Sequence, residues 1–167
     1  DKIPTLKPAF AKDGTITAAN ASSISDGAAA LVVTRQSVAE AQGLNIAARI
    51  VSWATHSQEP AKFTSAPVPA IRSAMEKAGW TVADVDLFEV NEAFAMVPMI
   101  AMKELGIPAE KLNVNGGGTA LGHPIGASGA RIIATLIAAL QNRGLKRGVA
   151  SLCIGGGEGT AIAVEIA

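Results

Sequence analysis

Thirteen of the seventeen glycines in this 167-residue chain lie between Gly106 and Gly159. Glycine reaches backbone conformations closed to other residues, so that part of the chain must fold around tight turns and close backbone approaches. Two of the turns carry the side chains best suited to moving protons. Asn115 to Arg131 reads Asn-Gly-Gly-Gly-Thr-Ala-Leu-Gly-His-Pro-Ile-Gly-Ala-Ser-Gly-Ala-Arg, and the only cysteine, Cys153, opens the run Cys-Ile-Gly-Gly-Gly. Free imidazole and thiol titrate near ~6.5 and ~8.5, close enough to neutrality for proton transfer. Small residues around them let backbone N–H donors approach a reacting oxygen that a Cβ would hold off.

Hydrophobic periodicity supplies the rest of the architecture. Ala28 to Thr34 is a short apolar run with the pattern of a strand buried on both faces. Arg35 to Gln42 reads as a short helix closed by Gly43, Arg49 to Thr55 as a second strand, and Pro69 to Ala78 as a helix stopped by Gly79. Val85 to Val90 is a third strand, Ala93 to Leu105 a helix, and Gly126 to Gln141 a long helix striped by Ile132, Ile133, Leu136, Ile137 and Leu140. Val149 to Cys153 and Thr160 to Ile166 read as two strands returning antiparallel across the glycine turn. The expected fold is a layered α/β domain over residues 26–167, with a mixed five-stranded sheet flanked by helices and residues 1–25 as an extended lead-in.

Composition narrows the function classes. Hydrophobic residues make up 49% of the chain, enough for one packed core, and fourteen Lys plus Arg balance fourteen Asp plus Glu. That balance gives no field favouring nucleic acid or an anionic membrane as a partner. The longest apolar stretches fall short of the ~20 residues that cross a bilayer, so the chain reads as a soluble protein. A single cysteine forms no internal disulfide and suits a reducing compartment, cytoplasmic or, in a eukaryote, the mitochondrial matrix. The chain opens at Asp1 without Met and without a charged-then-apolar leader. This reads as a fragment or processed product rather than a secretory precursor.

Each candidate site residue carries a bland alternative. Asn91 and Glu92 sit where a strand passes into a helix, a place where α/β sheets present ligands; Asn91 either caps that helix or holds a water or substrate oxygen. His123, between Gly122 and Pro124, precedes the small-residue start of the long helix, whose positive end disfavours the imidazolium and keeps the ring usable as a base. Cys153 is either a buried small hydrophobe or a reactive thiol beside an anion-binding nest of backbone N–H groups. Neither glycine run matches a dinucleotide or Walker fingerprint. His56 reads as a surface or loop histidine, and Glu158 as a solvated turn carboxylate.

Taken together and in order, Asn91 to Ala95, Asn115 to Arg131 and Cys153 to Gly157 resemble the Asn-Glu-Ala-Phe, Gly-His-Pro and Cys-x-Gly-Gly-Gly signatures of the thiolases, which make or cleave 3-oxoacyl-CoA. Lys7 to Phe10 and Gly14 to Ala30 resemble the segment that opens the family's C-terminal domain. The resemblance covers essentially this whole chain but only about the last two-fifths of a thiolase. It implies that the family's N-terminal domain, which brings the acyl-carrying cysteine, and its loop domain, which holds most of the CoA nucleotide, have no counterpart here.

By resemblance, His123 is the base that activates the absent nucleophile and faces the thioester oxygen of the second substrate, while Cys153 is the acid/base thiol. Asn91 holds a water that, with His123, stabilises the enolate oxygen, and the Gly155 N–H completes an oxyanion hole. Ser22, Phe10, Ala93 and Phe94 line the pantetheine tunnel. Phe63 stands where many biosynthetic members have Met, which bears on acyl-chain preference. Ala18, Ala19, Ala21 and Thr119 resemble a monovalent-cation loop of some relatives; no metal ligands and no resident cofactor are otherwise implied, coenzyme A thioesters being substrates. The complete enzyme is expected to be a homodimer or homotetramer. Two rival readings remain: a catalytically silent scaffold of the same shape, and a self-contained Cys-His hydrolase with Cys153 as nucleophile.

Overall fold

The computed structural model describes residues 2–167, so Asp1 of the expected lead-in lies outside the described residues. Helix α1 (Gln36–Ala41) leads into strand β1 (Ala48–Ser57), helix α2 (Pro67–Ala78), strand β2 (Leu87–Val90) and helix α3 (Met96–Leu105). The one-turn helix α4 (Gly118–Leu121), the long helix α5 (Ser128–Arg143) and the strands β3 (Arg147–Ile154) and β4 (Glu158–Ile166) complete the order. The sheet runs β1-β4-β3-β2, with β2 parallel to β3 and the other two pairings antiparallel.

The core has two layers because each long helix has one apolar stripe. On α2, Val68, Ile71 and Met75 recur at three- and four-residue spacing and are buried with Ala70 and Ala74 against β1, β4 and β3. They join Val85, Phe88, Val97, Val149 and Ala163 in one cluster. On α5, Ile132, Leu136, Ala139 and Leu140 pack on the opposite face with Leu87, Ala150 and Val164. Glycines in the left-handed conformation, Gly79 and Gly144, end the two helices where the sequence placed their stops. Because α5 covers mainly the β2–β3 side, Trp53 on β1 is left 67% exposed. No helix among the described residues is long and apolar enough to cross a membrane.

The expected five strands become four. Residues 28–34 enter no strand, and Val32 stands 94% exposed. A run that is apolar on both faces needs strands to pair with, and among the described residues no bridge joins it to either edge of the sheet, β1 or β2, the latter being closed by other means. Asn113 accepts from the Val90 N–H through Oδ1 and donates to the Val90 carbonyl through Nδ2, both at 2.8 Å, and its own N–H donates to the Phe88 carbonyl. One asparagine, at φ 47°, thus closes that edge as a further strand would. The second departure is at α3, which starts at Met96 rather than near Ala93. Residues 91–95 are held as a loop instead, for reasons that belong to the site.

Candidate active site

Asn91, Cys153 and the glycine turn all lie at the carboxyl ends of β2 and β3, the position at which parallel strands present their ligands. Register sets this directly: Val90 pairs with Ser151, and the Asn91 N–H continues the ladder by donating to the Ser151 carbonyl at 2.9 Å. Asn91 is 1% exposed and is not a helix cap, since α3 begins five residues later with Ala95 as its cap. The choice left open by the sequence is therefore decided against capping.

The lead-in builds the wall of the site. Ser22 donates to the Ala93 carbonyl from Oγ at 2.8 Å and from its N–H at 3.1 Å, and the Ala95 N–H donates to the Asn20 carbonyl at 2.9 Å. One residue on, the Ser23 carbonyl accepts from the His123 N–H at 3.0 Å. Three residues of the stretch 20–23, Asn20, Ser22 and Ser23, thereby hold both the Asn91 loop and the His123 loop. Gly122 makes this approach feasible: it sits at φ 89°, and a Cβ there would meet the Ser25 hydroxyl.

His123 meets two partners through its ring. Nδ1 lies 2.6 Å from Ser128 Oγ, which in turn donates to the Pro124 carbonyl at 3.1 Å, and Asn91 Nδ2 stands almost equidistant from the two ring nitrogens, 3.4 Å from Nε2 and 3.5 Å from Nδ1. Ser128 has one proton, and with that proton on the Pro124 carbonyl it accepts from Nδ1–H, so Nε2 keeps its lone pair. Burial, then the nearby Arg131 guanidinium, holds the imidazole below its ordinary range. The ring is thus neutral at neutral pH with a basic nitrogen available. Ser128 and Arg131 were not singled out in the sequence; the serine's position five residues after the histidine, at a helix start, was the available signal.

Cys153 is buried at 6% exposure in the cluster that includes Val90 and Val97 and packs against Ala93, Phe94 and Phe63. Burial pushes its thiol up to about 11. Among the described residues no hydrogen bond joins it to His123. A thiol poised at about 11 carries ~100-fold less thiolate at pH 8 than one at its reference value of 9.0. Alkylation of Cys153 by iodoacetamide is accordingly expected to run at least ~100-fold slower than for a free thiol at pH 8, rising tenfold per pH unit up to pH ~10. Fast, pH-independent labelling of the folded chain would contradict this.

The other residues singled out in the sequence lie as follows. Phe10, Phe94 and Phe63 form a line of edge-to-face rings, with centroids 5.7 Å and 6.2 Å apart, beside Ser22 and Ala93. Phe10 is 74% exposed, so the line runs from solvent to the core cluster that contains Cys153. Gly155 is exposed, and a Cβ built on it meets nothing within 4 Å, so open space faces the first glycine of the turn. Glu158 is not a solvated carboxylate: it opens β4 and turns back over Gly156, with Oε2 buried and unpartnered. His56 lies within β1, half-buried opposite Gly159, rather than in a loop. Glu92 ties the two loops together, accepting from Asn113 Nδ2 at 3.1 Å and from the Thr119 N–H at 3.0 Å. Ala18, Ala19 and Ala21 lie on a turn organised by Thr17 and Asn20, away from any described bond to Thr119.

Comparisons with known proteins identify the family. The family model described as "Thiolase, C-terminal domain" matches residues 44–166, and "Thiolase, N-terminal domain" matches residues 1–37. The latter match includes the segment that the sequence reading took as the opening of the C-terminal domain. The acetyl-CoA acetyltransferase of Rhizobium meliloti is 52% identical over 165 residues, covering 99% of this chain and 42% of that protein. The cytosolic acetyl-CoA acetyltransferase of Mus musculus is 54% identical, over 96% of this chain and 41% of that protein. Among solved structures, the Bacillus anthracis acetyl-CoA acetyltransferase superposes with a TM-score of 0.96 at 49% identity, over 99% of this chain and 42% of its own. Human mitochondrial 3-ketoacyl-CoA thiolase in complex with CoA gives 0.91 at 42% identity, over 98% and 42%. The chain spans about two-fifths of the length of these relatives.

Proposed function

Because the chain belongs to the thiolase family, we propose that it supplies the proton-transfer half of an acyl-transfer site for coenzyme A thioesters, completed by an N-terminal half that carries the nucleophilic cysteine. The supporting observation is the division of labour between two groups: a half-buried imidazole held neutral with Nε2 unprotonated, and a buried thiol held protonated. In thiolysis, His123 takes the proton of the nucleophilic cysteine as it attacks the 3-oxo carbon. The carbon–carbon bond then breaks, and Cys153 gives its proton to the α-carbon of the departing acetyl-CoA. The resulting Cys153 thiolate deprotonates incoming CoA, whose sulfur attacks the acyl carbon; the nucleophilic cysteine leaves and recovers its proton from His123. The Claisen direction runs the same steps backwards, and a base poised near 11 is a stronger acceptor for an α-proton than an ordinary thiolate.

Asn91, through a water it holds, and the His123 Nε2–H present once the ring has taken the nucleophile's proton, donate to the enolate oxygen, and the Gly155 N–H, at an open part of the turn, serves the thioester oxygen; one such donor is typically worth ~10²- to 10³-fold in rate. The ring line Phe10–Phe94–Phe63 leads a pantetheine arm inward, with Ser22 and Ala93 beside it. The complete protein is a cytoplasmic or mitochondrial acyltransferase acting as a homodimer or homotetramer. The exposed Val32, Val33, Trp53 and Ile125 belong to faces that the other half or a second subunit covers.

The test is where the acyl group goes. After incubation of the complete polypeptide with acetyl-CoA and digestion, the acetyl label is expected on a cysteine outside these 167 residues, with Cys153 free. A label on Cys153 would establish the self-contained hydrolase reading instead. The buried, high-lying thiol disfavours that reading, because a nucleophile needs its thiolate.

A further inference from the structure

Arg131 sits in the first turn of α5 with its guanidinium turned into the protein. Nε and Nη1 are buried without a hydrogen-bond partner, and one bond runs from Nη2 to Asn91 Oδ1 at 3.2 Å. Beneath it, Glu89 on β2 is 2% exposed, and its Oε1 is also without a partner. Two buried, incompletely satisfied ionisable groups so close to a site are costly to the fold, which makes the single bond that Arg131 does form informative. Burial pushes the Glu89 carboxyl up to about 7, with Arg131 pulling it back down and Glu92 adding to the rise. The charged groups packed around Asn91 are therefore Glu89 from β2, Glu92 from the loop that follows and Arg131 from α5.

A guanidinium has only donors, so the Asn91 atom facing it is the carbonyl oxygen. The amide NH₂ is then on the opposite side, where it meets the His123 ring 3.4 Å from Nε2 and 3.5 Å from Nδ1; with Nδ1 already bonded to Ser128, Nε2 is the nitrogen left for it to face. A flipped amide would offer its oxygen to the ring instead, and because Ser128 engages Nδ1 the proton newly stabilised would be one on Nε2. We propose that Arg131 is the positioning residue of this site: by holding Asn91 Oδ1 it sets the amide orientation that keeps His123 Nε2 unprotonated. Ser128 enforces the same tautomer from the other end of the ring, through Nδ1. The kinetic consequence rests on the acyl-transfer reading; the tautomer does not.

The experiment uses the full-length polypeptide labelled with ¹⁵N-histidine, the His123 signals being those lost in His123→Ala. Wild type is expected to show a single tautomer with Nδ1 protonated. Arg131→Met is expected to give a mixture of both tautomers, to raise the His123 titration midpoint, and to lower kcat at least ~10-fold with KM for the acyl-CoA unchanged. Arg131→Lys keeps the charge but not the planar fork, so it is expected to retain the low midpoint while mixing the tautomers. A single wild-type tautomer in both variants would overturn the proposal, and if Arg131→Met fails to fold, Arg131→Lys alone decides by the same criterion. Mixed tautomers with no thiolase activity in any form would uphold the positioning role and count against the acyl-transfer reading.

Discussion

Replacing His123 by alanine in the polypeptide that joins this chain to its N-terminal half is expected to lower acetoacetyl-CoA thiolysis by ~10³-fold, within the range that a positioned proton carrier contributes. The loss falls on kcat, because the ring acts on the nucleophile's proton and on an oxygen that gains charge only as bonds change. The pH profile carries a second signature. His123 is held below the ordinary imidazole range by burial and by Arg131, so the acid limb of kcat/KM is expected below pH ~6.5. Steady-state assays between pH 5 and 9 check both, and a His123→Ala enzyme with wild-type kcat would leave the scaffold reading standing. Solvent does not replace the ring cheaply, since the neighbouring Asn91 and Ser128 are nearly fully buried.

Gly159→Ala is expected to destabilise the fold by about 3 kcal/mol, seen as a fall of ~1–2 M in the urea midpoint. Gly159 pairs with Cys153 on one side and with His56 on the other, so it occupies the central strand of the β1-β4-β3 ribbon. A Cβ there would meet the backbone of Ala66 and, at 2.8 Å, the nitrogen of Pro67. These are main-chain atoms at the first turn of α2, and Ala66 is fully buried, so no flexible side chain can yield. Relief requires α2 to lift off the sheet, which opens the cluster around Ile71 and Cys153. A midpoint within 0.3 M of wild type would show that α2 shifts at little cost.

Most elements were legible because their periodicities are strong: α2, α5 and the β3–β4 hairpin stand within two or three residues of their expected bounds. The failures have a common origin in long-range bonds. Residues 28–34 have the composition of a strand, but a strand forms only against a partner: Asn113 closes the sheet at β2, and among the described residues no bridge joins the run to the other edge at β1. Residues 93–95 have the composition of a helix, but Ser22 and Asn20 hold their backbone from seventy positions away. At the site, His123, Cys153 and Asn91 were visible as reactive types in glycine-rich or strand-end settings. Arg131 and Ser128 were not, because an arginine and a serine on a helix are ordinary until their side chains are seen to turn inward onto Asn91 and His123. Glu158 and His56 show the reverse error, since polar character alone suggested exposure that the hairpin does not allow.

The clamp formed by residues 20–23 bears on how pieces of such proteins can be exchanged. The two family-domain matches meet between residues 37 and 44, yet the carbonyls and hydroxyl that fix the Asn91 and His123 loops lie upstream of that junction. A chimera recombined at the junction would inherit its proton-transfer groups from one parent and the bonds that aim them from the other. Crossover points placed before Asn20 keep both together.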